Sequence, residues 1–354
     1  MLDNNLRHWL DTQADALDRG LLDPEDVLPQ LAQAGVLGQG VDSHLGGAGG
    51  DIRDAVERVA DIASHSLTAA FVLWGQRSFI EYLLNTDNAG LRERLLGDLL
   101  SGQLAGATGL SNAMKHLAGL EALGVNACTT EKGWTLSGRM PWVTNLRKRG
   151  FVVAAAAEQA EGPPLVVAIP DNLPGVTRSA DLQLLGLQSS NTAALHLENL
   201  HLQRDWLLAS DARQYLSRVR PTFLGLQCGM AVGLARRSLE EVELHLGGAR
   251  SVLEAEWRDL KTQLATCISE LKDGLSRELF RSEPIRLFRL RIALAELSSQ
   301  AVQLELQASG GKAYLLPQGA GFARRWRESA FVPIVTPSLV QLRGELQRHT
   351  GKQT

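Results

Sequence analysis

The spacing of apolar residues changes twice along this 354-residue chain, and that double change narrows the folds open to it. Up to about residue 105 apolar positions recur at helical spacing. From about 106 to 210 they alternate or form short wholly apolar runs, and from about 211 the helical spacing returns. The expected domains are therefore a helical one over 1–105, a β domain over 106–210 and a helical bundle over 211–354. In class terms the chain reads as α+β multidomain. An N-terminal α-helical domain precedes a central antiparallel β domain (sandwich or barrel), and a C-terminal four-helix bundle closes the order.

In the first region Asp23-Pro24-Glu25-Asp26 joins a capping acid, a first-turn proline and following acids, a start signal for a helix carrying Leu28, Leu31 and Val36. The run from His44 to Gly50 is a loop. It is too glycine-rich for an element and lacks the strand-before, helix-after setting of a nucleotide fingerprint. Asp51 caps a helix with Val56, Val59 and Ile62 inward, the stretch 67–84 reads as a buried helix, and 90–100 as an amphipathic one. Strands are expected at 123–130, 134–137, 151–158, 165–169, 193–198 and 200–203. The bundle is expected to hold helices over 215–246, 253–279 and 284–309, a break at Gly310-Gly311 and a last short helix over 339–348. Gly225, Gly229 and Gly233 suit close helix packing.

Charge excludes two classes of partner. With 36 basic and 39 acidic residues the net charge is −3, which attracts neither nucleic acid nor an anionic membrane. The longest apolar runs are strand-length, far short of the roughly 18 residues of a membrane helix. The early sequence around Asp3 has no basic-then-apolar leader, and a cytoplasmic protein is expected. Cys128, Cys228 and Cys267 show neither CxxC nor metal-ligand spacing, so structural thiols and no metal are expected.

The segment Met140-Pro141-Trp142-Val143-Thr144-Asn145 carries the chemistry. An aromatic and a hydroxyl two residues apart share one face of an extended segment. Together they can cover a planar ring and hydrogen-bond its edge. Half-buried Trp and Thr are also ordinary strand residues, so the weight comes from the surrounding motifs.

Those motifs resemble the acyl-CoA dehydrogenase family over nearly the whole chain. The segments that carry the likeness are Gly35 to Gly50, Leu100 to Asn112, Pro141 to Asn145, Leu185 to Leu202 and Gln307 to Tyr314. The resemblance implies FAD held between the β domain and the bundle, with FMN or a reduced flavin as variants. Trp142 would cover the isoalloxazine, Thr144 would hydrogen-bond its redox nitrogen, and Leu110 and Ser111 would meet its pyrimidine edge. Arg250 is what remains of the pyrophosphate contact. Gln307 and Gly311 would receive the adenine half from a neighbouring subunit of a homodimer or homotetramer.

The departures from the family are specific. The glutamate base that takes the substrate α proton is replaced by Val335, and the alternative location, Leu216 to Thr222, holds no acid. His116 is then the best-placed titratable group and the candidate catalytic residue; a solvated loop histidine is the plainer account. Lys115 reads as a loop lysine or a phosphate contact, Glu328 as a structural partner of arginines, and the cluster Arg324, Arg325, Arg327 as a bundle-surface charge network. Three functions follow. One is a flavin oxidoreductase passing hydride from an acyl-CoA or related small substrate to FAD, with an electron-transfer partner. The second is a monooxygenase fed reduced flavin by a partner reductase. The third is a catalytically silent homologue.

Overall fold

The computed structural model describes residues 2–350. The helices of the first region are α1 (Asn4–Arg19), α2 (Val27–Gln33), α3 (Ile52–His65), α4 (Leu67–Leu84) and α5 (Ala89–Ser101). Their ends follow the local chemistry. The Asp3 carboxylate accepts from the Asn5 and Leu6 amides, and Asp51 and Asp54 form a capping box at the head of α3. Pro24–Asp26 is a 3-10 turn, capped by Asp23, that leads into α2. Nearly all of α4 is buried, including Gln76, Arg77 and Glu81, because α1, α2, α3, α5 and later elements wrap it.

The middle region holds β1 (Ala105–Thr108), α6 (Ser111–Leu117), β2 (Val125–Thr129), β3 (Gly133–Val143), β4 (Phe151–Gln159), β5 (Leu165–Pro170), β6 (Val176–Asp181), β7 (Ala193–Gln203) and β8 (Leu207–Ala209). The strands run β6-β7-β3-β2-β4-β5-β8, with β1 also on β4. The sheet is mixed, which corrects the expected all-antiparallel domain: β1 and β2 both run parallel to β4. Parallel neighbours need a long crossover. Here α6 and the β2–β3 hairpin provide it between β1 and β4. The expected strand at 134–137 continues through Pro141 to Val143, and the register shift between Met140 and Val143 accommodates a residue with no amide hydrogen. The two strands expected at 193–198 and 200–203 are one, β7, which passes through Asn199 at φ 48.

The bundle contains α7 (Ala212–Glu243), α8 (Glu254–Ser276), α9 (Leu279–Ser282), α10 (Pro284–Ser309), α11 (Ala320–Phe331) and α12 (Leu339–Thr350). Three of these are long, and α3 joins them from the N-terminal region. A Cβ on Gly229 would lie 2.7 Å from the Val56 carbonyl oxygen of α3, and one on Gly233 would lie 2.1 Å from that of Ala60. The glycines therefore set the spacing of α3 and α7. One apolar cluster, from Leu2 to Leu342, runs through all three regions.

Candidate functional site

The head of α6 and the end of β3 meet at Gly109. Its amide donates to the Ala154 carbonyl at 2.8 Å, and an added Cβ would lie 2.3 Å from Met140 Sδ. That close approach sets Leu110 and Ser111 beside the strand that carries Trp142 and Thr144. Leu110 is buried and Ser111 half-buried. No side chain caps α6, so its first-turn amides are left to water or a ligand. Asn112 pins the following loop: its amide nitrogen donates to Glu121 Oε1 and the Ala122 carbonyl, and its oxygen accepts from the Gly124 amide.

Trp142 and Thr144 do not share an environment. Trp142 is 61% exposed and Thr144 only 5%. The register shift before Val143 breaks the alternation, so Pro141 and Trp142 both face outward while Val143, Thr144 and Asn145 are all buried. Asn145 turns the chain at φ 57 and donates from Nδ2 to Gln76 Oε1 and the Gly106 carbonyl. Gln76 also accepts from the Gly106 amide and donates to the Leu99 and Leu104 carbonyls. The side chain thus ties α4, α5, β1 and the end of β3 together.

The loop 185–192 closes the other side. Thr192 Oγ1 lies 3.0 Å from Thr144 Oγ1 and 2.8 Å from Ser190 Oγ. The loop hangs on α1: Asp18 Oδ1 accepts from the Leu187 amide, the Asp18 carbonyl from Gln188, and the Leu17 carbonyl from Ser189. Asp18 is fully buried and paired with Arg327 at 2.6 Å. Its only trace in the sequence is an acid next to Leu17 on the apolar face of α1.

His116 sits half-buried in the last turn of α6, and no hydrogen bond or ion pair among the described residues engages its ring. Lys115 is taken up by Glu121 at 3.3 Å. Above them, Gln341 Nε2 donates to the Met114 carbonyl and reaches Glu345 Oε1, which pairs with Arg220 at 2.6 Å. An acid missing from 216–222 is thus brought there by α12, with no signal in the sequence. Val335 is buried. Its segment is clamped by Arg291 on the Val332 carbonyl and Gln227 on the Thr336 carbonyl, while Arg291 Nε donates to Gln227 Oε1.

The remaining candidates gather at the end of the bundle. Arg250 lies on an exposed 3-10 turn, Gly248–Leu253, and its Nη2 would be 3.3 Å from a Cβ on Gly310. Gln307 and Gly311 are exposed beside it, with open space around Gly311. No hydrogen bond or ion pair among the described residues joins this group to the β3–α6 group. The arginine cluster requires a correction: Arg324 and Arg325 are buried, not on the bundle surface. Arg324 pairs with Glu328 at 2.7 Å and Arg325 with Glu305 at 2.5 Å, while Arg327 serves Asp18. Glu328 also accepts from the Leu67 amide, in the structural role expected of it, and burial pushes its carboxyl above the usual range.

A bare indole, a hydroxyl at the strand end and uncapped helix amides fit a flat heterocycle with a hydrogen-bonding edge. Butyryl-CoA dehydrogenase from Megasphaera elsdenii has the same architecture, with a TM-score of 0.82 at 18% identity over 96% of this chain and 94% of that one. This is the acyl-CoA dehydrogenase fold. The prolyl acyl carrier protein oxidase AnaB shares it, with a TM-score of 0.84 at 15% identity over 98% of each chain. In sequence, the probable acyl-CoA dehydrogenase YngJ of Bacillus subtilis (strain 168) is 24% identical over 322 residues, 84% of this chain and 82% of that one. Further acyl-CoA dehydrogenases align over little more than half of their own length. No protein-family model matches the chain. No helix among the described residues is long and apolar enough to cross a membrane.

Proposed function

We propose that the chain is a flavin-dependent oxidoreductase that takes hydride from an acyl thioester or a related small substrate. The observation that carries this reading is Trp142, a large indole left 61% exposed at the end of β3, two residues before the buried Thr144 hydroxyl. FAD supplies the electron-pair acceptor. Trp142 would cover one face of its ring, Thr144 would bond its redox nitrogen, and Leu110 and Ser111 would hold the pyrimidine edge. Arg250 meets the pyrophosphate, and Gln307 and Gly311 hold the adenine half of a flavin bound by a second copy. An assembly of at least two chains follows from that sharing, and the cytoplasm is the compartment proposed for it. The acyl group rides on coenzyme A or on a carrier protein, and a separate electron-transfer protein reoxidises the flavin.

Proton removal cannot fall to Val335, which has no basic atom. His116 is the proposed acceptor, since its ring has no partner among the described residues and it stands on the helix proposed to meet the flavin edge. A second reading, a monooxygenase fed reduced flavin by a reductase, draws support from the same valine, because that chemistry needs no carboxylate base. The deciding experiment is the visible spectrum of the protein with FAD or FMN added. Oxidised flavin that binds and is then bleached anaerobically by an acyl-CoA supports the first reading, and binding of reduced flavin alone supports the second. No affinity for either flavin in either redox state overturns both and leaves a silent homologue.

A further inference from the structure

Three hydroxyls stand in line at the end of β3. Ser190 Oγ is 2.8 Å from Thr192 Oγ1, which is 3.0 Å from Thr144 Oγ1. Two bonds use two of the three hydrogens, so the third is left on Ser190, on Thr144, or on Thr192 if it accepts both bonds. Ser190 is fully buried, and among the described residues its hydroxyl has no partner other than Thr192. A hydrogen left on Ser190 or on Thr192 would be a buried donor without an acceptor, whereas one on Thr144, itself buried, would meet the flavin of the reading above. Ser190 therefore donates to Thr192, and Thr192 donates to Thr144. The spare hydrogen belongs to Thr144, at the end nearest Trp142 in the chain.

The frame of this line is stiff. The Ser190 carbonyl accepts from the Asn145 amide, Asn145 is held by Gln76, and the Thr192 carbonyl accepts from the Leu182 amide. None of the three side chains can turn away without breaking a buried contact.

The geometry points to Ser190 and Thr192 as positioning residues that fix the Thr144 hydroxyl as a hydrogen-bond donor toward bound flavin. This rests on the flavin reading above. Oxidised flavin presents a lone pair at its redox nitrogen, and two-electron reduction places a hydrogen there. A hydroxyl locked as donor matches the first state and opposes the second. The line therefore favours oxidised over reduced flavin, and it weighs against a site built to receive reduced flavin from a reductase.

The test uses the full-length protein reconstituted with FAD, comparing wild type, Thr192→Val and Thr192→Ser. The dissociation constant for oxidised FAD is read by fluorescence, and the midpoint potential by anaerobic dye-coupled reduction. Thr192→Val frees Thr144 to rotate, so reduced FAD should gain about tenfold in affinity relative to oxidised FAD, the worth of about one hydrogen bond. For a two-electron couple that is a rise of about 30 mV. Thr192→Ser keeps the hydroxyl and should match wild type, which a purely structural role for the threonine methyl would not allow. Thr192→Ala repeats the measurement if valine is not tolerated. FAD bound by the hydroxyl-free variant at the wild-type potential overturns the positioning role and leaves the flavin reading standing. Failure of wild type to bind FAD in either state overturns both.

Discussion

Replacing Gly233 by alanine should destabilise the chain although it improves the helix. Within α7, alanine is favoured over glycine by about 1 kcal/mol. Against that, the new methyl would lie 2.1 Å from the Ala60 carbonyl oxygen, 2.6 Å from Ala63 Cβ and 2.8 Å from the Ser64 amide nitrogen. Two of these atoms are backbone, so relief requires α3 and α7 to separate by roughly 1 Å along a tightly packed interface. Overpacking of this kind costs about 1–3 kcal/mol, and with backbone as the obstacle the upper end applies. The net loss is then about 2 kcal/mol. Gly97 supplies the control: it lies exposed in α5 with nothing within 4 Å of an added Cβ. Gly97→Ala should gain up to about 1 kcal/mol. In urea unfolding followed by circular dichroism, the Gly233→Ala midpoint should fall by roughly 0.5 M, since the slope for a chain of this size is at least about 3 kcal/mol/M, while that of Gly97→Ala rises. A Gly233→Ala variant as stable as wild type would refute the claim that glycine sets the α3–α7 spacing.

Three further outcomes follow from other contacts. Trp142→Ala should leave folding stability within about 0.5 kcal/mol, because the ring is mostly exposed. The same change should weaken FAD binding about tenfold, with Trp142→Phe intermediate; equal affinity in a fluorescence titration would remove Trp142 from the site. Burial pushes the Glu57 carboxyl up, but bonds from Arg236 and Lys272 outweigh it and bring the pKa to about 2, below its usual 4.5. A lowered acid stabilises the fold above its unfolded pKa and ceases to as pH falls through the folded one. Glu57→Gln should therefore cost about 1 kcal/mol at neutral pH, given the partial exposure, and the gap in unfolding midpoints should close between about pH 4.5 and 2. Gln76→Leu should cost about 2–4 kcal/mol, since it strips bonds from the Gly106 amide and the Leu99 and Leu104 carbonyls at once; a loss under about 1 kcal/mol in urea would mean that water replaces the side chain.

The elements legible in the sequence are those whose burial is one-sided or total over many residues. Helices α4 and α10 begin and end where the apolar spacing, Ser66 and Pro284 place them. Strand β1 is not legible because Ala-Gly-Ala-Thr carries no pattern, and β6 because Val-Thr-Arg-Ser-Ala-Asp is an edge strand with one neighbour. The parallel pairing of β1 and β2 with β4 is a long-range choice that no local period records. For the candidate site, the motifs found Trp142 and Thr144 but not their unequal exposure, which depends on a shift in strand register. Nor did they find Asp18, Gln76, Gln341 or Glu345. Each of these acts through a partner more than 25 residues away, and its own neighbours in the chain are unremarked.

Asp18 has a consequence for inheritance. It lies in the first helix, yet it bonds the Leu187 amide and the Arg327 side chain. A chimera that joined the opening helices of one relative to the strands and bundle of another would keep every residue proposed to touch flavin. Without an acid at that one place, however, the loop bearing Ser190 and Thr192 would lose its one side-chain tie to α1, and Arg327 would lose its buried carboxylate. Segments of this chain so far apart in sequence are therefore not interchangeable modules, and positions 18 and 327 can change only as a pair.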